Sequence, residues 1–134
     1  MQILTAYGLA DSSYQAAGGE DGLRRLARDF YHAMSTRADA AVIRAMHPEN
    51  LDESTDKLAR FLAGWLGGPS LYREKYGPIS IPRAHGDLAI GPAERDAWLA
   101  CMAQALDGQD YAPEFKSYLL QALSVPAERC RTRD

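Results

Sequence analysis

The chain has only 2 cysteines in 134 residues. Cys101 falls inside a helical pattern and Cys130 in the polar tail "PAERCRTRD", so the pair makes neither a disulfide framework nor a zinc spacing, which fits a reducing compartment. No stretch approaches the apolar length needed to span a bilayer. The first residues, "MQILTAYGLADSS", lack a positive region followed by a long apolar run. The expected location is therefore the cytoplasm, with no membrane partner. Positive charge is not in excess either: 15 Lys and Arg stand against 18 Asp and Glu, a net charge of -3. A basic stripe of the kind that attracts phosphate backbones is absent, which argues against a nucleic-acid partner.

Familiar catalytic signatures are missing as well. There is no G-x-S-x-G, no P-loop, no flavin or nicotinamide motif, and no His/Cys/Asp/Glu grouping with metal-ligand spacing. "GGEDG" is glycine-rich but follows no strand, so it is a weak phosphate loop. The three histidines, His32, His47 and His85, lie too far apart in sequence for a local zinc site.

What is present is helix. The length is that of one domain, residues 1–134, and such a chain buries roughly two thirds of its unfolded surface. Apolar residues recur near a 3.6-residue period and β-branched residues are sparse, so the expected class is all-α. A flexible start over about residues 1–12 leads to a short helix around Tyr14 to Ala17, closed by Gly18 and Gly19. "EDGLRRLARDFYHAM" then sets Leu23, Leu26, Phe30 and Met34 on one stripe, with Ala27, Tyr31 and Ser35 beside it and Arg24, Arg28 and His32 turned away. A shorter helix from about Asp39 to Met46 stops at His47-Pro48, because the residue before proline is pushed out of the α region.

Asp52 is the expected N-cap of the next helix, in which Ser54, Leu58, Phe61, Leu62, Trp65 and Leu66 share a stripe until "LGGP" ends it. From Ser70 to Gly91 the periodicity fades. That segment reads mostly as loop, with room for about one turn of helix on either side of His85, and a loop so long in a small domain usually has a function. Pro92 suits the first turn of a helix carrying Ala97, Trp98, Cys101, Met102 and Ala105. A last helix from about Pro113 to Leu123 packs Phe115, Leu119 and Ala122 inward, before a polar tail over about residues 125–134.

Taken singly, the unusual residues have plain explanations. Tyr31 reads as a core-edge tyrosine whose hydroxyl reaches a carbonyl, and Trp98 as core packing whose indole N–H needs an acceptor. His47 reads as a helix-ending residue that holds the last carbonyls, and His85 as a surface loop imidazole.

In combination they resemble a known family. "YQAAGGEDGLRRLARDFY", "MHPENLDES.DKL..FL.GWLGGP.LY.EKYG", the histidine of "RAH" and "AIGPAERDAWLACM" follow one another, over about residues 14 to 123, in the order and spacing of group II truncated haemoglobins. The resemblance implies a two-over-two helical sandwich around one b-type haem, iron protoporphyrin IX. With no C-x-x-C-H in the chain, that haem would be held without covalent links. His85 matches the proximal ligand of the iron, and Tyr31, Trp98 and His47 match distal positions facing the diatomic ligand. Ser54 matches the distal-helix position where larger globins often have histidine, and Leu58 lies one turn on.

Leu58, Phe61, Leu62 and Trp65, with Ile90 and Met102, would contact the macrocycle or support residues that do. Lys57, then Tyr72 and Arg83, are candidates for the propionates. The loop "GPISIPRAHGDLAI" departs from the family pattern: Ala84 stands where an arginine is common before the histidine, and Gly86-Asp87 follow it.

The implied function is reversible binding of O2 and other diatomic ligands such as NO and CO. A pocket with two or three donors suits O2, NO or peroxide chemistry, or sensing, better than bulk transport. Turnover as an NO dioxygenase or peroxidase is left open, since it needs electrons and the reductase would have to come from outside. The alternative is a haem-free globin-like helical module that binds or regulates a partner. The expected assembly is a monomer or weak homodimer.

Overall fold

A computed structural model describes residues 10–78 and 90–129, and all of its regular structure is helical. Helix α1 (Ser12–Ala16) leads to α2 (Gly19–Thr36), a 3-10 turn (Ala38–Ala40) and α3 (Ala41–Ala45). Then come α4 (Asp52–Trp65), α5 (Leu71–Tyr76), α6 (Pro92–Asp107) and α7 (Pro113–Arg129). Helix α2 packs on both α4 and α6, and α6 packs on α7. The pairs α2/α4 and α6/α7 thus form the expected two-over-two sandwich. No helix among the described residues is long and apolar enough to cross a membrane.

The core is the inward stripe of α2 met by α6 and α7. Leu23, Leu26 and Phe30 are fully buried, as are Met102, Leu106 and Leu119 on the facing helices, and each large side chain contributes roughly 1.5–3 kcal/mol on leaving water. Ser35 differs from the pattern reading. It is exposed, and Ala33 is buried in its place, while the Ser35 hydroxyl donates to the Tyr31 carbonyl one turn back at 2.8 Å.

Four other expectations shift. Asp52 is the first residue of α4 rather than its cap, and its N–H donates to the Asn50 side-chain oxygen at 2.8 Å, a local bond that a short amide side chain makes two residues on. The stripe assigned to α4 is rotated: Ala59, Leu62, Ala63 and Leu66 are buried, whereas Trp65 is 37% exposed. The segment after Ser70, expected to be mostly loop, contains a six-residue helix, α5 (Leu71–Tyr76). Its register was illegible because none of its residues is fully buried. Finally, α7 runs beyond Leu123 to Arg129 and takes in part of the stretch read as tail. Leu123 and Ala127, one turn apart, extend its buried face, Ala122 is only half-buried, and Glu128 pairs with Arg95 of α6.

The chain reverses between α1 and α2 at Gly18 and Gly19, both with positive φ (85° and 66°). The approach there is so close that a Cβ on Gly22 would lie 1.9 Å from the Ala17 carbonyl oxygen. Backbone blocks the space, so relief needs a shift of α1 against α2. Gly22→Ala is therefore expected to lower stability by roughly 1–3 kcal/mol. Gly64→Ala, whose new methyl would meet nothing closer than 3.6 Å, is expected to be neutral or to stabilise α4 by up to about 1 kcal/mol. Denaturant midpoints at constant slope measure both, and equal midpoints for the two variants would contradict the tight reversal.

Candidate functional site

Four rings, two from α2, one from α6 and one from just past α3, form a chain of contacts. Phe30 and Tyr31 are neighbours on α2, edge to face with centroids 4.9 Å apart. On one side the Phe30 ring lies 5.0 Å from Trp98 of α6. On the other the Tyr31 ring lies 5.5 Å from His47, just past α3. The structure thus brings together Tyr31, His47 and Trp98, with Phe30 as the wedge between them. Sequence pattern gave Phe30 only a core role, since nothing in its spacing separates a packing ring from one that also orders its neighbours.

The Tyr31 hydroxyl is the unusual group. The residue is 9% exposed, and burial alone acts on the phenol, pushing its ionisation well above the ordinary tyrosine range. No hydrogen-bond partner for this hydroxyl exists among the described residues. A buried, unpaired hydroxyl costs about 1–3 kcal/mol, so native chains seldom leave one without a purpose. The indole N–H of half-buried Trp98 is likewise without a bond among the described residues.

His47 is held by its other face. Its Nδ1 donates to the Ile43 carbonyl at 2.9 Å, which meets the helix-ending reading, while its ring packs on Tyr31. A carbonyl cannot donate, so Nδ1 carries the proton and Nε2 of the neutral ring is an acceptor. Arg44 braces this corner by donating to the Pro48 and Glu49 carbonyls at 3.0 and 2.9 Å and to the Ser35 hydroxyl at 3.2 Å.

Along α4, Ser54, Leu58 and Phe61 are half-buried, and Phe61 stacks on exposed Trp65 at 6.1 Å. Leu62 and Met102 are fully buried in the common core and Ile90 is 8% exposed. Lys57 pairs with Glu53 at 3.0 Å, and its Nζ lies 5.2 Å from the centre of the Tyr76 ring. Tyr72 packs against that same ring at 5.1 Å. Arg83, Ala84, His85, Gly86 and Asp87 lie outside the described residues.

One cluster escaped the sequence reading altogether. The Asp56 carboxylate, 16% exposed, accepts from Arg60, Lys75 and Tyr76 and pairs with Arg24. Desolvation works against its charge, but hydrogen bonds from Tyr76, Lys75, Arg60 and Arg24 outweigh it and hold the carboxyl well below the usual range. Only the Asp56/Arg60 spacing of four was visible in the sequence. The partners on α5 were not, because α5 itself was not.

Comparison with known proteins decides the family. The family described as bacterial-like globin matches residues 12–129. The chain is a bacterial-like globin. Within that family it resembles the group II truncated haemoglobins. This globin is 31% identical over 117 residues to the group 2 truncated haemoglobin YjbI of Bacillus subtilis, covering 87% of its own length and 86% of the relative's. The group II 2-on-2 haemoglobin of Agrobacterium tumefaciens superposes with a TM-score of 0.86 at 35% identity, over 100% of both chains. The cold-adapted truncated haemoglobin of Pseudoalteromonas haloplanktis gives 0.86 at 33% identity, over 91% of this chain and 98% of that one.

Membership of the globins implies a haem, and the residues present fit one. The Tyr31 phenol and Trp98 indole N–H, unpaired among the described residues, and the half-buried apolar side chains Leu58 and Phe61 packed against the core are the kinds of group that a haem and its ligand use.

Burial of Tyr31 sets an alkaline limit. Above about pH 10 the unfolded chain gives up its tyrosine protons, while folded Tyr31 keeps its own. The native state then binds more protons, so stability falls as pH rises. Tyr111, pushed up to about 12 mainly by burial, adds to the effect. Tyr31→Phe is expected to flatten the loss of urea midpoint between roughly pH 9 and 11. A limb as steep as that of the parent protein would contradict the buried phenol.

Proposed function

We propose that this globin reversibly binds O2, and also NO and CO, at a non-covalently held b-type haem, and that it serves O2, NO or peroxide chemistry or sensing rather than bulk transport. The observation that carries the proposal is the buried Tyr31 hydroxyl, unpaired among the described residues and one ring away from the Trp98 indole. The haem, when bound, supplies a ferrous iron that takes a diatomic ligand and passes electron density to it.

The chain's own residues do the rest. His85 would hold the haem iron, and Tyr31 O–H and Trp98 N–H would donate to the diatomic ligand. Such donors act more strongly in a dry pocket than in water, because they are fixed before the ligand arrives. His47, with Nδ1 committed to the Ile43 carbonyl, packs edge-on against the Tyr31 ring and so helps to orient it. Once protonated, His47 becomes a further donor. Ser54 and Leu58 line the same side.

Phe61 and Ile90 would contact the macrocycle when haem is bound, and fully buried Leu62 and Met102 would support the residues that do. Lys57, Tyr72 and Arg83 would hold the propionates. Any turnover draws electrons from an external reductase.

Purified protein should contain or take up haem with a Soret band, and His85→Ala should lose that band or regain it only with added imidazole. A protein that takes up no haem would favour the haem-free partner-binding reading instead. Tyr31→Phe and Trp98→Phe are each expected to speed O2 dissociation by about 10- to 100-fold, the equivalent of one charge-assisted hydrogen bond. Stopped-flow displacement of O2 by CO measures this, and parent-like rates in both variants would contradict the donor roles. NO consumption in the presence of O2 and a reducing system, compared with free haem, separates turnover from sensing or storage.

A further inference from the structure

Helix α5 is the last described element before the segment that carries His85, and its attachment is unusual. None of its six residues is fully buried. Leu71, Tyr72 and Tyr76 are half-buried and its other three residues are exposed, so apolar packing alone holds it weakly. Polar bonds close it down at both ends. At the start, Arg60 of α4 donates to the Leu71 carbonyl at 3.4 Å. At the end, Tyr76 and Lys75 donate to one oxygen of Asp56 at 2.7 and 2.9 Å. The same carboxylate accepts from Arg60 at 2.9 Å and pairs with Arg24 of α2 at 3.1 Å.

We propose that Asp56 is a positioning residue of the haem pocket: it ties α5 to α4 and α2, and so fixes the Tyr76 ring against which the propionate candidates Tyr72 and Lys57 pack and how firmly haem is held. This rests on the haem reading above. Three cations, Arg24, Arg60 and Lys75, converge on one carboxylate that is 16% exposed. Removing its charge leaves them facing one another, and the break falls first on α5, which has least other contact. Lys57 is drawn in as well, because its Nζ lies over the Tyr76 ring that Asp56 holds.

The test uses the full chain with and without haem. In the haem-free protein, D56N is expected to speed amide exchange over residues 71–77 while leaving α6 and α7 protected. In the haem-loaded protein it should raise the rate of haem loss to a scavenger on the order of tenfold, equivalent to about 1.4 kcal/mol. Y76F, which removes one bond and no charge, should fall between D56N and the parent and serves as the test if D56N does not fold. D56E restores the charge and should recover part of both losses, which a role in filling space alone would not produce.

Parent-like haem loss and exchange in D56N, or in Y76F where that variant stands in, would overturn the proposal while leaving the haem reading intact. A parent protein that takes up no haem would overturn both.

Discussion

Helix α2 has to bury one face against two partners at once, and the rest of the structure follows from that constraint. Its stripe is wide enough to seat Leu23, Leu26 and Phe30 in the core while carrying Tyr31 to the edge of the same face. A phenol in that position is drawn in by its neighbours whether or not its hydroxyl finds a bond. Phe30 fixes its ring edge-on and spaces it from Trp98. Packing energy thus holds a polar group in a dry place, which is the condition under which a donor is most useful to a ligand.

The polar parts of the molecule then divide into two braces around that core. One is at the α3 end, where Arg44 and His47 hold carbonyls of the turn and Ser35 holds that of Tyr31. The other is at α5, where Asp56 gathers three cations and a phenol. Both lie where short helices have too little apolar surface to dock by themselves. Long helices are placed by burial and short ones by hydrogen bonds.

Legibility in the sequence followed the same division. The 3.6-residue pattern placed α2 and α6 closely because each has a buried face long enough to repeat. It misjudged α4 by part of a turn, since Phe61 and Trp65 are apolar yet not buried, and large apolar side chains are what a pattern scores. It missed α5 because a helix with no buried residue leaves no period. The singular residues Tyr31, His47 and Trp98 were visible one by one, and only the family order joined them. Their convergence depends on Phe30 and on the crossing of α2 with α6, which no local spacing encodes. The Asp56 cluster depends on contacts between residues about twenty positions apart, through a helix the pattern did not show.

In the proposed function the Tyr31 hydroxyl, unpaired among the described residues, donates to a ligand of the haem. The most direct measurement is the C–O stretching frequency of the carbon monoxide complex in the parent protein and in Tyr31→Phe. A donor close to the ligand oxygen lowers that frequency, so the parent is expected to show a low, narrow band that moves up when the hydroxyl is removed. A band at the same frequency in both proteins would contradict the account, because it would leave the buried phenol without the partner that explains it.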